Sequence, residues 1–106
     1  MGVDNMYKGY IYRHWIINDK GIEKSYIGQT CKDVEERWGY NGKRYTKSKN
    51  QKFANAIRKY GWDSFHHDII LTIKCETLEE LHYWLKDWER YYIWKYDSFK
   101  MVIIVL

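Results

Sequence analysis

Several features that commonly reveal a protein's class are missing from this sequence. It contains no proline and only two cysteines, Cys31 and Cys75, too few for a disulfide framework or a zinc-ligand pattern. Its longest apolar run, residues 101–106, is far shorter than the roughly 18 residues that a membrane-spanning helix needs. No apolar segment follows a basic cluster near residue 1, as a signal peptide requires. We therefore expect a protein of a reducing, cytoplasmic-type compartment with no membrane partner.

Aromatic residues are what the sequence has in excess. They make up 19% of the 106 residues and include eleven tyrosines and six tryptophans, more than a small core needs. A chain of this length predicts a single domain, residues 1–106, with one modest core. The net charge is only +4, so the distribution of the charges is more informative than their sum.

The first part of the chain has the pattern of a β-hairpin. Residues 8–17 are rich in aromatic and β-branched types and predict a strand. An Asn-Asp-Lys-Gly turn signal follows, and residues 23–28 predict the returning strand. Alternation places Tyr10, Tyr12 and His14 on one face of the first strand.

Helical and strand patterns follow one another in the rest of the chain. A helix is predicted over about 33–39, with Thr30 as a candidate cap, and another over about 51–60. Residues 66–75 predict a third strand, and a long helix is predicted over about 78–96. The order β-β-α-α-β-α predicts an α/β fold of the α+β type, with a small three-stranded, mainly antiparallel sheet flanked by helices.

One carboxylate of the last predicted helix lies among apolar residues. At about 100° per residue, Glu89 falls inside an apolar stripe. The members of this stripe are Leu78, Leu81, Leu85, Trp88, Tyr92, Ile93 and Tyr96. Burying an ionised carboxylate is costly unless it is paired or holds a metal. Glu89 is therefore an arginine partner, a residue at the edge of the stripe, or a metal-binding or catalytic group.

A segment with charges of one sign lies in the middle of the chain. Residues 37–62 contain no Asp or Glu, and tyrosines and a tryptophan are interleaved with the basic residues. This combination suits salt-dependent contacts with DNA phosphates, whereas the alternative is a solvated basic loop and helix face. The DNA-binding candidates are Lys43, Arg44, Lys47, Lys49, Lys52 and Arg58.

Two tyrosines and two histidines complete the candidates. Tyr12 and Tyr26 lie on adjacent predicted strands, where their hydroxyls either open on one cleft or serve only cross-strand packing. His66 and His67 are neighbours on a predicted strand and point to opposite faces, so we do not expect them to converge on a metal.

Taken together, these features resemble the GIY-YIG nuclease family. Tyr10-Ile11-Tyr12 stands at the first motif, with Tyr in place of Gly, and Tyr26-Ile27-Gly28-Gln29-Thr30 matches the second. Arg37-Trp38 follows at about the family's distance, and residues 55–65 look like the middle of phage and homing-type members. Glu89-Arg90-Tyr91-Tyr92-Ile93 is similar to the segment that carries the family's metal-binding Glu. Each short motif is weak alone, but the ordered set of five is specific.

The resemblance implies a role for each matching residue. Tyr12 would be the general base or would activate the attacking water, and Tyr26 would orient water or phosphate. Arg37 would bind the scissile phosphate and stabilise developing negative charge, and Glu89 would hold one Mg²⁺ or Mn²⁺ ion. A tyrosine base is unusual, because the ordinary pKa of its hydroxyl is about 10 and a nearby cation must lower it.

The sequence departs from the family pattern at two places. The fourth residue after Arg37 is often His or Tyr in the family but is Asn41 here, so we expect Tyr40 to take its role. Homing-type members usually follow the last helix with Asn-Gly-Tyr-Asn, where residues 101–104 read Met-Val-Ile-Ile. A one-base shift converts codons for the first tetrapeptide into codons for the second, which predicts a frame shift near Lys100.

The sequence therefore predicts a metal-dependent DNA endonuclease of phage or homing type, or a related restriction or repair enzyme. The alternative is a catalytically impaired nucleic-acid-binding module of the same fold, and a third possibility is a purely structural or protein-binding domain. The preferred DNA sequence, nicking as opposed to double-strand cutting, the preferred metal and the oligomeric state stay open.

Overall fold

A computed structural model describes residues 6–39, 42–43 and 51–98 of the chain. The described elements follow the order β-β-α-α-β-α, so the α+β fold predicted from the sequence is confirmed. They are β1 (Tyr7–Ile17), β2 (Glu23–Thr30), α1 (Val34–Trp38), α2 (Gln51–Tyr60), a 3₁₀ turn (Trp62–Ser64), β3 (His66–Cys75) and α3 (Leu78–Ser98).

The three strands form one antiparallel sheet in the order β2-β1-β3, which makes β2 an edge strand. The register sets Tyr12 opposite Gly28 of β2 and His14 opposite His67 of β3. A bulge interrupts the β1–β3 pairing between Ile11 and Tyr12. Bulges commonly re-aim side chains next to functional sites.

Alternation along β1 divides the core into two sides. Ile11 is fully buried against Leu81 and Leu85 of α3 and against Cys75, and we call this the aliphatic side. On the opposite face of the sheet, Phe53 is the fully buried centre of a second cluster, the aromatic side, which also contains Ile16, Ala56 and Phe65. Tyr12 and His14, at 2% and 1% exposure, lie on this aromatic side.

The predicted cap of the first helix is wrong. Thr30 ends β2 instead, and its hydroxyl accepts a hydrogen bond from the Lys32 N–H at 3.0 Å. The helix begins at Val34, after Asp33, whose side chain makes no capping hydrogen bond. Three residues of turn therefore separate the sheet edge from α1, and they set where Arg37 lies.

The apolar stripe predicted on the last helix is only partly buried. Leu81 and Leu85 are sealed in the core, but Leu78, Trp88 and Ile93 are exposed, so the prediction is wrong at these three positions. The reason is position, because Trp88 and Ile93 lie at the two edges of the stripe and Leu78 is the first residue of the helix, whereas Tyr92, a turn beyond Trp88, still packs against the core. Of the helices in the described ranges, none combines the length and apolar character needed to cross a membrane.

Candidate functional site

An open cleft of about 280 Å³ lies at the edge strand β2. It brings together four residues that the sequence singled out: Tyr12, Tyr26, Arg37 and Glu89. Tyr40, the fifth candidate, lies outside the described residues. Among the described residues, the cleft is lined by Tyr12, His14, Tyr26, Ile27, Gly28, Gln29, Arg37, Phe53 and Glu89.

Gly28, on the edge strand, is in close contact with Tyr12 in this cleft. The Tyr12 ring extends from β1 across the backbone of Gly28, so that a Cβ placed on Gly28 would lie 2.5 Å from the Tyr12 hydroxyl oxygen. Only glycine leaves this space, since real Cβ atoms do not approach other atoms so closely. The Tyr12 hydroxyl, which belongs to the aromatic side, therefore reaches β2. Glu89 of α3 lines the same cleft.

Glu89 is half-buried and held by its neighbour on the edge strand. The Gln29 side-chain amide donates a hydrogen bond to Glu89 Oε1 at 3.0 Å. In the portion of the chain that the structure describes, no lysine or arginine forms a salt bridge with Glu89. None of the described arginines therefore compensates this carboxylate, and the amide fixes one oxygen beside the cleft.

Tyr26 forms the wall of the cleft nearest to α2. Its ring stacks on Phe53 with centroids 4.7 Å apart and meets Phe65 edge-on at 6.2 Å. Burial, and then the nearby Tyr60, raise the pKa of the Tyr26 hydroxyl above its ordinary value of 10.0. Tyr26 thus keeps its proton at neutral pH and is a hydrogen-bond donor in the cleft.

Arg37 brings a positive charge to the same cleft from α1. The Arg37 N–H donates a hydrogen bond to the Asp33 carbonyl at 3.0 Å, and this bond at the start of the helix sets the position of Arg37. Its guanidinium is close enough to His14 to lower the pKa of that imidazole. The planar guanidinium of Arg37 carries several N–H donors, whose geometry suits the oxygens of a phosphate.

His14 is a cleft residue that the sequence placed on the correct face but did not identify as functional. Its Nδ1 lies 2.8 Å from Nδ1 of His67, its partner across the β1–β3 pair. Burial, then the neighbouring His67 and Arg37, lower the pKa of His14 to about 3. The alternation of β1 predicts which face of the sheet His14 lies on. Its pairing with His67 follows only from the register of β1 against β3. As predicted, His66 does not converge with His67, since it stacks on Trp15 instead.

The basic candidates that the structure describes do not line the cleft. Lys43, Lys52 and Arg58 are exposed, and Arg58 donates a hydrogen bond to the Asn55 side-chain oxygen at 2.7 Å. The remaining candidates, Arg44, Lys47 and Lys49, fall outside the described ranges. The exposed members Lys52 and Arg58 belong to α2, so part of the surface of this helix is positively charged.

The oxygen donors of the cleft are few. Over residues 6–39, 42–43 and 51–98 no three His, Cys, Asp or Glu side chains cluster as a metal site would require. Of the described residues, Glu89 is the one carboxylate in the lining, and the hydroxyls of Tyr12 and Tyr26 accompany it. A hard cation held here would take most of its ligands from water and substrate, as Mg²⁺ commonly does.

Comparison of the chain with protein-family models, curated proteins and solved structures finds no match in any of the three.

Proposed function

We propose that this protein is a metal-dependent DNA endonuclease of the GIY-YIG type that hydrolyses phosphodiester bonds. The observation that carries the proposal is the shared cleft of Tyr12, Tyr26, Arg37 and Glu89, which come from four different elements. Hydrolysis of a phosphodiester needs an oriented water, compensation of charge on the phosphoryl oxygens and stabilisation of the leaving oxygen. The cleft offers side chains for each of these tasks.

The tyrosines and the arginine divide the work on the substrate. The Tyr12 hydroxyl, which lies against Gly28, orients the attacking water and accepts its proton, while the proton of the hydroxyl itself passes to solvent water that enters the open cleft. The protonated Tyr26 hydroxyl donates to a phosphate oxygen. Arg37 binds the phosphate through its guanidinium and offsets the negative charge that develops as the bond to the leaving oxygen breaks.

Glu89 fits the role of the carboxylate that holds a divalent cation. It is half-buried, no basic side chain in the described ranges forms a salt bridge with it, and Gln29 orients one of its oxygens. Oxygen donors of this kind suit Mg²⁺ or Mn²⁺. When bound, such an ion supplies positive charge beside the phosphate and lowers the pKa of groups close to it.

A non-catalytic nucleic-acid-binding module of the same fold is the second candidate. The exposed basic residues Lys43, Lys52 and Arg58 support it, because they suit phosphate contacts without any chemistry. The single carboxylate of the cleft also favours it, since tight metal sites usually have more ligands.

Plasmid cleavage separates the two candidates. Supercoiled DNA is incubated with the protein and Mg²⁺ or Mn²⁺, beside Tyr12→Phe and Glu89→Gln. The matched controls are Tyr83→Phe and Glu79→Gln, which change exposed residues of α3 outside the cleft. We expect metal-dependent nicking that both cleft variants lose by at least about 100-fold and both controls retain.

Two other results would contradict the enzyme. Salt-sensitive DNA binding without cleavage in either metal supports the binding module. Cleavage that survives in Glu89→Gln and Tyr12→Phe at the wild-type rate places the chemistry elsewhere.

A further inference from the structure

We propose that His14 is a positioning residue of the cleft, a neutral imidazole locked in one tautomer whose Nε2 accepts a hydrogen bond from an O–H group there. The observation behind it is the chain of contacts from Trp62 through His67 to His14, which ends at the cleft lining. The inference rests on the proposed nuclease function and adds a residue to it.

The tautomer follows from the direction of two hydrogen bonds. His67 Nε2 lies 3.0 Å from the Trp62 carbonyl oxygen, which can only accept, so this nitrogen carries a hydrogen. A neutral imidazole has one N–H, so His67 Nδ1 has a lone pair. The 2.8 Å contact between the two Nδ1 atoms then requires His14 Nδ1 to donate. His14 Nε2 is left with the lone pair and is an acceptor.

Aromatic packing prevents the His14 and His67 rings from rotating into an orientation that would suit another tautomer. His14 stacks on Phe53 with centroids 4.6 Å apart and meets the Trp38 ring edge-on at 4.9 Å. His67 stacks on Trp62 at 3.8 Å. Both imidazoles are therefore fixed in plane and direction as well as in hydrogen bonding.

The pair is neutral at physiological pH. Burial lowers the pKa of both imidazoles, and the neighbouring His67 and Arg37 lower the pKa of His14 further. Asp63 and Asp68 favour a positive charge on His67, and its pKa is nevertheless lowered. His14 can therefore accept a hydrogen bond through Nε2, and it does not act as a proton store at neutral pH.

A further acceptor is useful in the cleft because, in the proposed reaction, the other acceptors have tasks of their own: the Glu89 carboxylate holds the cation and the Tyr12 hydroxyl takes the proton of the attacking water. Arg37 has only N–H groups, Tyr26 is protonated, and the Gln29 amide is already used on Glu89. The attacking water directs one O–H to Tyr12, and an acceptor for its second O–H turns its lone pair toward phosphorus. His14 lines the same space, with its ring centroid 5.1 Å from that of Tyr12.

Nitrogen NMR tests the tautomer without any assay of activity. In protein labelled with ¹⁵N at histidine, ring-nitrogen shifts at pH 7 to 8 report which nitrogen carries hydrogen. We expect an Nδ1–H tautomer for His14 and an Nε2–H tautomer for His67. An Nε2–H or a cationic His14 would overturn the proposal, whether or not the protein cuts DNA.

Three variants test the role in the proposed reaction. His67→Phe keeps a ring for Trp62 but removes the acceptor of His14 Nδ1, and His67→Gln restores one acceptor and one donor. His66→Phe is the matched control, because His66 stacks on Trp15 away from the pair. We expect His67→Phe to lower kcat by about 10–100-fold with little change in KM, and the other two to stay within a few-fold of wild type.

The failures of the two proposals are distinct. Wild-type protein that cuts no DNA overturns the nuclease function. If the wild type does cut, then His67→Phe at full kcat, or His67→Gln no better than a folded His67→Phe, overturns the role of His14. Circular dichroism and melting of each variant establish that it is folded before kcat is compared.

Discussion

The two sides of the sheet differ in composition although they share the same three strands. The aliphatic side contains Ile11, Leu81 and Leu85, and among the described residues its one fully enclosed ionisable group is the Cys75 thiol. The aromatic side contains Phe53 beside a histidine pair, of which His14 is buried and His67 half-buried. Alternation along β1 thus separates residues that only stabilise the fold from residues whose polar groups must be satisfied one by one. Substitutions on the two sides should have different consequences.

The largest expected effect is a loss of stability from the aliphatic side. Leu81→Ala leaves a cavity at a fully buried position and should lower the free energy of unfolding by about 2–5 kcal/mol. Urea unfolding followed by circular dichroism measures this. DNA cleavage per folded molecule should stay unchanged below the transition, and a loss of kcat in the folded variant would show that the two sides are coupled.

Two glycines give the next comparison, one for each side. A Cβ on Gly28 meets the rigid Tyr12 ring, whereas a Cβ on Gly9 meets the Leu85 and Leu81 methyl groups at 2.6 to 3.0 Å. We expect Gly28→Ala to displace the Tyr12 hydroxyl and reduce cleavage by about 100-fold, or about 2.7 kcal/mol in the barrier. Plasmid nicking measures the loss.

Gly9→Ala is the control for that experiment. It should lower stability by about 1–3 kcal/mol through overpacking while the folded fraction cleaves normally. Equal losses of cleavage in the two glycine variants would contradict a specific role for the open backbone at Gly28.

Acid should weaken the aromatic side selectively. Unfolded His14 binds a proton below its ordinary pKa of 6.5, whereas the folded residue has a pKa of about 3. The contribution of His14 to the free energy of unfolding is therefore fully present above pH 6.5. It falls as the pH drops toward 3, by up to about 1.4 kcal/mol per pH unit. Urea titrations at several pH values should show a smaller slope in His14→Phe, and identical slopes would contradict the burial of a neutral imidazole.

The smallest expected effect is on the exposed basic residues. Lys43→Ala and Arg58→Ala should each weaken DNA binding a few-fold and reduce the slope of log affinity against log salt by about one. Fluorescence anisotropy of a labelled duplex at several salt concentrations measures both quantities. Lys86→Ala, at an exposed position of α3, should leave the slope unchanged. An equal change with Lys86→Ala would indicate net charge rather than a DNA-binding surface.

The sequence predicted the elements well because their signals are local. The alternation of β1, the spacing of α2 and the long helical pattern of α3 are each contained in one short window, and all three were confirmed within about two residues. The gathering of Tyr12, Arg37 and Glu89 was expected from the order of motifs and not from any local pattern.

Three features were out of reach because they depend on contacts between distant segments. The pairing of His14 with His67 needs the register of β1 against β3, and the bulge at Ile11 shifts that register. The crossing of Tyr12 over Gly28 needs a side-chain direction as well as a strand pairing. The predicted burial of Trp88 failed because Trp88 lies at an edge of the stripe, and how much of the stripe the core covers is not encoded in the helix itself.

The contrast between the two thiols has a practical consequence. Cys75 is sealed in the core, whereas Cys31 is exposed directly after β2, two residues beyond Gln29. A maleimide dye added to the native protein should therefore attach at Cys31 alone, without any engineered substitution. That fluorophore would stand beside the Gln29–Glu89 contact and would report binding of cations or oligonucleotides in real time.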